Sequence, residues 1–308
     1  MIIAVYLPLI LPVFAVPIVR WVAWRLHPAV ASWLVVAATA VLATSAAVAL
    51  GLLVLAALSV MTVFARLGHW SPAEVWHLDA VHLPIDLTAS VLLTVFLVLA
   101  VRRANGRIRA LVSAYRAARE CPDSELMVLD DERPLAHALP GNPGRIVVST
   151  TMLASLSPSE RSALLAHERA HLTRRHHLFV AVVDVLAGAN PLLRPLSDVI
   201  HYTTERWADE VAARHVGDRS VVARAVGKAA LVSRNHPSVT PDVALAATTG
   251  PVPRRVAALL AGPPADRVLS VPGVCLIIAT ALVLASLVAS LDAATDLHHV
   301  LEVAQAFH

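Results

Sequence analysis

The sequence predicts a mainly α-helical fold: four membrane-spanning helices, with a smaller α+β domain set between the third and the fourth. Three observations carry this. Of the 308 residues, 57% are hydrophobic and only 15% charged, with a mean hydropathy of +0.68, which excludes an ordinary soluble domain. Four apolar stretches, roughly residues 2–19, 33–64, 85–101 and 271–291, are each close to or above the ~20 residues a helix needs to cross a bilayer. Between the last two, charged and apolar residues mix at the spacing of helices and short strands.

The first stretch carries Pro8, Pro12 and Pro17, which a membrane helix tolerates when neighbouring helices satisfy the freed carbonyls. It lacks a clear basic start and small-residue cleavage site, so it reads as a span rather than a signal peptide. The second is longer than one crossing requires; it tilts, extends beyond the bilayer or breaks near Gly51. Arg20 and Arg25 follow the first stretch, and Arg102, Arg103, Arg107, Arg109, Arg116 and Arg119 follow the third. The connection between the second and third carries Arg66 with Glu74 and Asp79. Arginine-rich sides face the cytoplasm, which puts the loop at 66–84 and both termini outside and residues 102–270 inside. The expected layout is a multi-pass protein of the cell membrane with three parts: residues 1–101, 102–270 and 271–308.

Within the middle part, a helical connector is expected over 103–119, then strands near 125–130 and 145–150, separated by the turn Pro140-Gly141-Asn142-Pro143-Gly144. Ser157-Pro158-Ser159-Glu160 supplies an N-cap, a proline at the first helical position and the glutamate of a capping box. The helix it opens runs past His171 to Arg174 and Arg175, cations that complement its dipole. Leu178 to Ala189 is short for a span and contains Asp184, so it reads as a buried or interfacial helix. The run His201 to Glu210 is polar and helix-like. Asn235 to Pro253 reads as a loop or lid before a last helix near Arg254.

His167-Glu168-Arg169-Ala170-His171 lies inside the capped helix. Residues four apart share a helix face, so both imidazoles can grip one metal ion while Glu168, one residue round, reaches a metal-bound water. Zinc takes nitrogen ligands near 2 Å and keeps one position open in a catalytic site. A third ligand is needed. On the later polar helix His201, Glu205 and Asp209 recur at four-residue spacing; Glu205 is the candidate ligand, and Asp209 one turn on the candidate orienter or proton carrier.

Ala166 to His171 followed by Glu205-Arg206-Trp207-Ala208-Asp209 resembles the gluzincin membrane peptidases. That group includes the CAAX prenyl protease and HtpX family and the BlaR/MecR signalling metallopeptidases. A third match lies upstream, where Glu132 to Gly141 and Arg145 to Thr150 are similar to the edge strand and following strand that precede the zinc helix. In the CAAX protease branch an Asn of that edge strand helps hold substrate; the matching place here is Leu135.

The resemblance implies a zincin-like α+β metallopeptidase domain binding one Zn2+ through His167, His171 and Glu205, with Glu168 and Asp209 as catalytic residues. Substrate contacts are expected at Ala136 and His137 of the edge strand and at His236. Relatives stabilise the oxyanion with a His and an Arg. Arg255 fits the Arg, Thr249 or Gly250 sits where the His is expected, and His236 or Tyr202 is the possible substitute. Four spans with a zinc domain between the third and fourth is the BlaR/MecR layout, without the penicillin-binding sensor domain of the β-lactam-sensing members. The expected substrate is a protein or peptide such as a cytoplasmic repressor. A quality-control peptidase of the HtpX type and a non-catalytic membrane scaffold or receptor with a structural metal site are the alternatives.

Other residues read more plainly. His176 and His177 are expected to be polar residues past the end of the zinc helix, and His69, His77, His82, His298 and His299 to be solvated. Cys121 and Cys275 fall in different compartments and have no zinc-site spacing. The net charge of +3 and pI near 9.3 reflect the arginine-rich inner face, which suits lipid headgroups; no nucleic-acid partner is expected.

Overall fold

The computed structural model describes residues 4–77, 82–121, 124–235, 252–263 and 271–306. The first half is helical: α1 (Leu7–Ala23), α2 (Pro28–Ser59), two short helices α3 (Thr62–Gly68) and α4 (Pro72–His77), and α5 (Leu83–Glu120). Three strands follow, β1 (Leu126–Leu129), β2 (Ala136–Leu139) and β3 (Arg145–Ser149). Then come α6 (Thr150–Ser155), α7 (Pro158–Thr173), α8 (His176–Ala189), a 3-10 turn at Pro191–Leu193, α9 (Pro195–Val216), α10 (Arg219–Asn235), α11 (Val252–Leu260) and α12 (Val271–Gln305).

Among the described residues, three helices rather than four are long and apolar enough to cross a membrane: α2, α5 and α12. The first expected span, α1, has only 17 helical residues, with Pro12 and Pro17 inside them, and it packs along α2 and α12. α2 runs unbroken through Gly51 and stops at Ser59. The third span and the expected connector are one helix of 38 residues, because the run from Arg102 to Glu120 is rich in Arg and Ala and holds no proline. α12 likewise continues well past residue 291. Along α5, Val91, Leu92, Val95, Leu97 and Val98 are all exposed, as lipid-facing side chains would be.

One core joins the apolar helices to those that follow the sheet. It contains Val16 and Val19 of α1, Val35 and Leu42 of α2, Val180 and Val183 of α8, and Leu196, Val199 and Ile200 of α9. Inside it the Ser32 hydroxyl bonds the Thr203 hydroxyl at 3.0 Å, tying α2 to α9. Trp24 packs on Tyr202 and Trp33 edge-on to Phe179, their ring centroids 5.2 and 4.7 Å apart.

The sheet has the order β1-β3-β2, with β1 parallel and β2 antiparallel to the central β3. All five residues of β3 are buried, while β2 forms an edge with His137 opposite Val147. Gly144 brings the β2–β3 turn against α7: a Cβ there would stand 2.9 Å from Leu172 Cδ2. The sheet therefore seats β2 alongside α7.

Candidate metal centre

α7 begins as the sequence requires. The Ser157 hydroxyl accepts from the Glu160 backbone N–H and the Glu160 carboxylate accepts from the Ser157 N–H at 2.9 Å, with Pro158 at the first helical position. Lys228 of α10 reaches the same carboxylate at 2.7 Å. These bonds, Lys228 first and the Ser157 backbone next, hold the Glu160 carboxyl below the ordinary glutamate range. This fixed start sets the phase of the helix, so His167, Glu168 and His171 all fall on its buried side.

α9 crosses α7 and contributes residues that a surface helix would leave in water. Thr203, Thr204, Glu205, Arg206, Asp209 and Glu210 are all buried. Arg206 and Arg219 satisfy Glu210, at 2.8 and 2.6 Å. Gly217, at φ 77°, closes the helix.

Three donor atoms converge between the two helices. His167 Nε2 and His171 Nε2 are 3.1 Å apart, and the Glu205 oxygens lie 3.4 Å from each of them. Ligands near 2.0–2.1 Å in a tetrahedral zinc site lie about 3.3 Å from one another. Two imidazole nitrogens and a carboxylate at that separation, all buried, fit one such cation.

The surrounding charges favour it. His167 Nδ1 faces Asp209 Oδ1 at 3.1 Å. Arg255 of α11, only 3% exposed, donates to both Asp209 oxygens at 2.9 and 2.7 Å and lies 2.8 Å from Glu205 Oε2. Burial opposes ionisation of both carboxyls, but Arg255 and the neighbouring histidines outweigh it and hold both far below the usual range. Burial would lower His167, yet its bonds to Asp209 and Glu205 carry it up to about 10. His171 falls to about 4, chiefly through burial. Glu168 rises to about 7, also chiefly through burial.

The backbone of Ala138 hydrogen-bonds Glu168, which places the β2 edge against the helix pair. A small pocket, partly open to solvent, lies beside Glu168 and His167. Arg255 and the apolar side chains of Ala163, Leu164, Val222, Val226 and Ala229 line it.

The expected cluster of His167, Glu168, His171, Glu205 and Asp209 is thus assembled, and Arg255 joins it. His201 does not: it turns from Glu205 toward Asp184, at 3.5 Å. Asp184 also binds Ser197 and Arg107, so the polar group in α8 is paired within the protein. His137 is half-buried on β2, its pKa lowered by that burial, while Ala136 packs toward the core of Val148 and Met152. Tyr202 stacks on Trp24. His236, Thr249 and Gly250 lie outside the described residues.

His176 departs from expectation. It is fully buried, with its Nδ1 3.2 Å from His171 Nδ1 and its ring against Trp207. The cause is Arg175, whose left-handed backbone (φ 53°) turns the chain between α7 and α8. A second histidine five places after His171 was the only signal in the sequence.

No solved structure matches the chain. Residues 102–187 match the family model of Peptidase family M48, a stretch that contains the end of α5, the sheet, α7 and most of α8. Peptidases of that family are zinc-dependent. The part of the chain that carries the histidine pair is therefore similar to Peptidase family M48, which supports a metallopeptidase.

Proposed function

We propose that the chain is an integral membrane zinc endopeptidase of the gluzincin kind, with His167, His171 and Glu205 holding one zinc ion. The observation that carries this is the mutual spacing of 3.1 and 3.4 Å among their donor atoms. Zinc bound there would polarise the scissile carbonyl and lower the pKa of a bound water toward neutrality.

The residues divide the remaining work. Glu168, held near neutrality, takes a proton from the attacking water and returns it to the leaving amine. Asp209 orients His167, since its oxygens are committed to Arg255 and that ring. Arg255 balances Glu205 and Asp209 and borders the pocket, where it can face the developing oxyanion. β2 aligns the substrate by its backbone, with His137 beside it. The lined pocket accepts an apolar side chain next to the scissile bond. His236 stays a proposed substrate contact.

The arginine pattern supports a cytoplasmic face for residues 102–270 and outer termini. We infer a signalling role of the BlaR/MecR type, cleaving a cytoplasmic protein such as a repressor. The apolar pocket favours a second reading, a quality-control peptidase of the HtpX type, because it would accept many hydrophobic residues. Fragment profiles from cells carrying wild type or Glu168→Gln test these. One new cytoplasmic fragment that depends on Glu168 supports signalling, a spread of membrane-protein fragments supports quality control, and identical profiles overturn the peptidase.

A further inference from the structure

The two candidate histidine ligands are backed differently. His167 presents Nε2 to the centre and Nδ1 to the Asp209 carboxylate. His171 also presents Nε2 to the centre, at 3.4 Å from Glu205, but behind its Nδ1 stands another imidazole, that of His176.

Two ring nitrogens 3.2 Å apart share one proton: one donates and the other accepts. A neutral His171 that offers a lone pair at Nε2 must carry its proton on Nδ1. It therefore donates to His176 Nδ1, and the His176 proton sits on Nε2. Among the described residues that nitrogen has no hydrogen-bond partner; it is buried near the rings of Trp207 and Phe179, 4.9 and 6.5 Å away between centroids. A buried N–H left without an acceptor is unfavourable, so the arrangement is held by the bond at the other nitrogen. The alternative tautomer would turn an N–H of His171 toward the cation position and destroy the ligand set.

We propose that His176 is a positioning residue, which accepts a hydrogen bond from His171 Nδ1 and so fixes the tautomer and ring angle that His171 needs to bind metal. This rests on the metal-centre reading above. The left-handed Arg175 belongs to the same device, because it turns His176 back under α7.

The test is a zinc titration of the full chain in detergent against a chromogenic chelator, comparing wild type with His171→Ala, His176→Phe and His176→Asn. Phenylalanine keeps a ring against Trp207 and removes the acceptor; asparagine restores an acceptor oxygen. We expect His176→Phe to weaken zinc binding by roughly 10- to 100-fold and His176→Asn to return to within a few-fold of wild type. Wild-type affinity in His176→Phe overturns the proposal. So does an asparagine variant as weak as the phenylalanine one while melting like wild type, because burial rather than hydrogen bonding would then be at work. If His171→Ala binds zinc as tightly as wild type, the metal-centre reading itself fails, whatever the His176 variants do.

Discussion

Arg255 grips Asp209, 46 residues away, through two hydrogen bonds of 2.9 and 2.7 Å, and both side chains are almost wholly buried. The same Asp209 oxygen that accepts from Arg255 Nη2 stands 3.1 Å from His167 Nδ1, so one carboxylate joins α11 to the first histidine of α7. Glu205 and Asp209 outnumber Arg255 by one negative charge, and in the metal-free cluster the His167 ring takes up that excess as a proton. A divalent cation at the histidine pair would take its place. The rise of His167 to about 10 reflects the same excess of negative charge.

Arg255→Met should therefore be severe. It leaves Glu205 and Asp209 buried without their cation, a situation that typically costs about 3–5 kcal/mol. Denaturant unfolding of the zinc-free protein in detergent should reveal a loss of that order; a loss below about 1 kcal/mol would mean the pair is not buried as described.

Glu168→Gln should separate chemistry from binding. The substitution keeps shape and removes the base, so peptide cleavage should fall by roughly 10²- to 10⁴-fold while one zinc per chain is retained. Metal analysis beside a cleavage assay checks both halves.

Acid stability should register Glu160. Its carboxyl is held below 4.5 by Lys228 and Ser157, so its contribution is complete above the unfolded value and fades as pH falls through the lower folded one. Glu160→Gln should thus melt below wild type at pH 7, by up to about 1 kcal/mol, and the gap should close once acid has protonated the folded carboxylate. A gap that is constant with pH would show that the charge plays no part.

Ala230→Phe should narrow the pocket between α7 and α10. Peptides with leucine at the residue entering it should lose about tenfold or more in kcat/KM relative to those with alanine. Zinc content should stay unchanged, since Ala230 is not one of the donor residues.

Some of this was legible in the chain and some was not, for physical reasons. Ser157, Pro158 and Glu160 announce the start of α7 because capping is a local matter of three adjacent residues. Glu205 and Asp209 could be placed because helical periodicity puts them on one face. His176 could not: its burial follows from a left-handed residue that is an arginine, with no glycine or asparagine to mark the turn. The first expected span is less plainly marked, for a related reason. Apolarity alone does not set the length of a helix, and α1 has 17 helical residues packed among its neighbours. Nor did the arginines after residue 101 end α5, since charge changes the environment of a helix without breaking its backbone.

The length of α5 has a mechanical corollary. Thirty-eight residues at 1.5 Å each make a strut of about 57 Å, close to twice the hydrocarbon thickness of a bilayer. Its polar half is bolted to α8 and, through Asp184, to the beginning of α9, at Arg107, Ser197 and His201. Any lean imposed on the greasy end must reappear, as in a lever, at the root of the helix that bears Glu205.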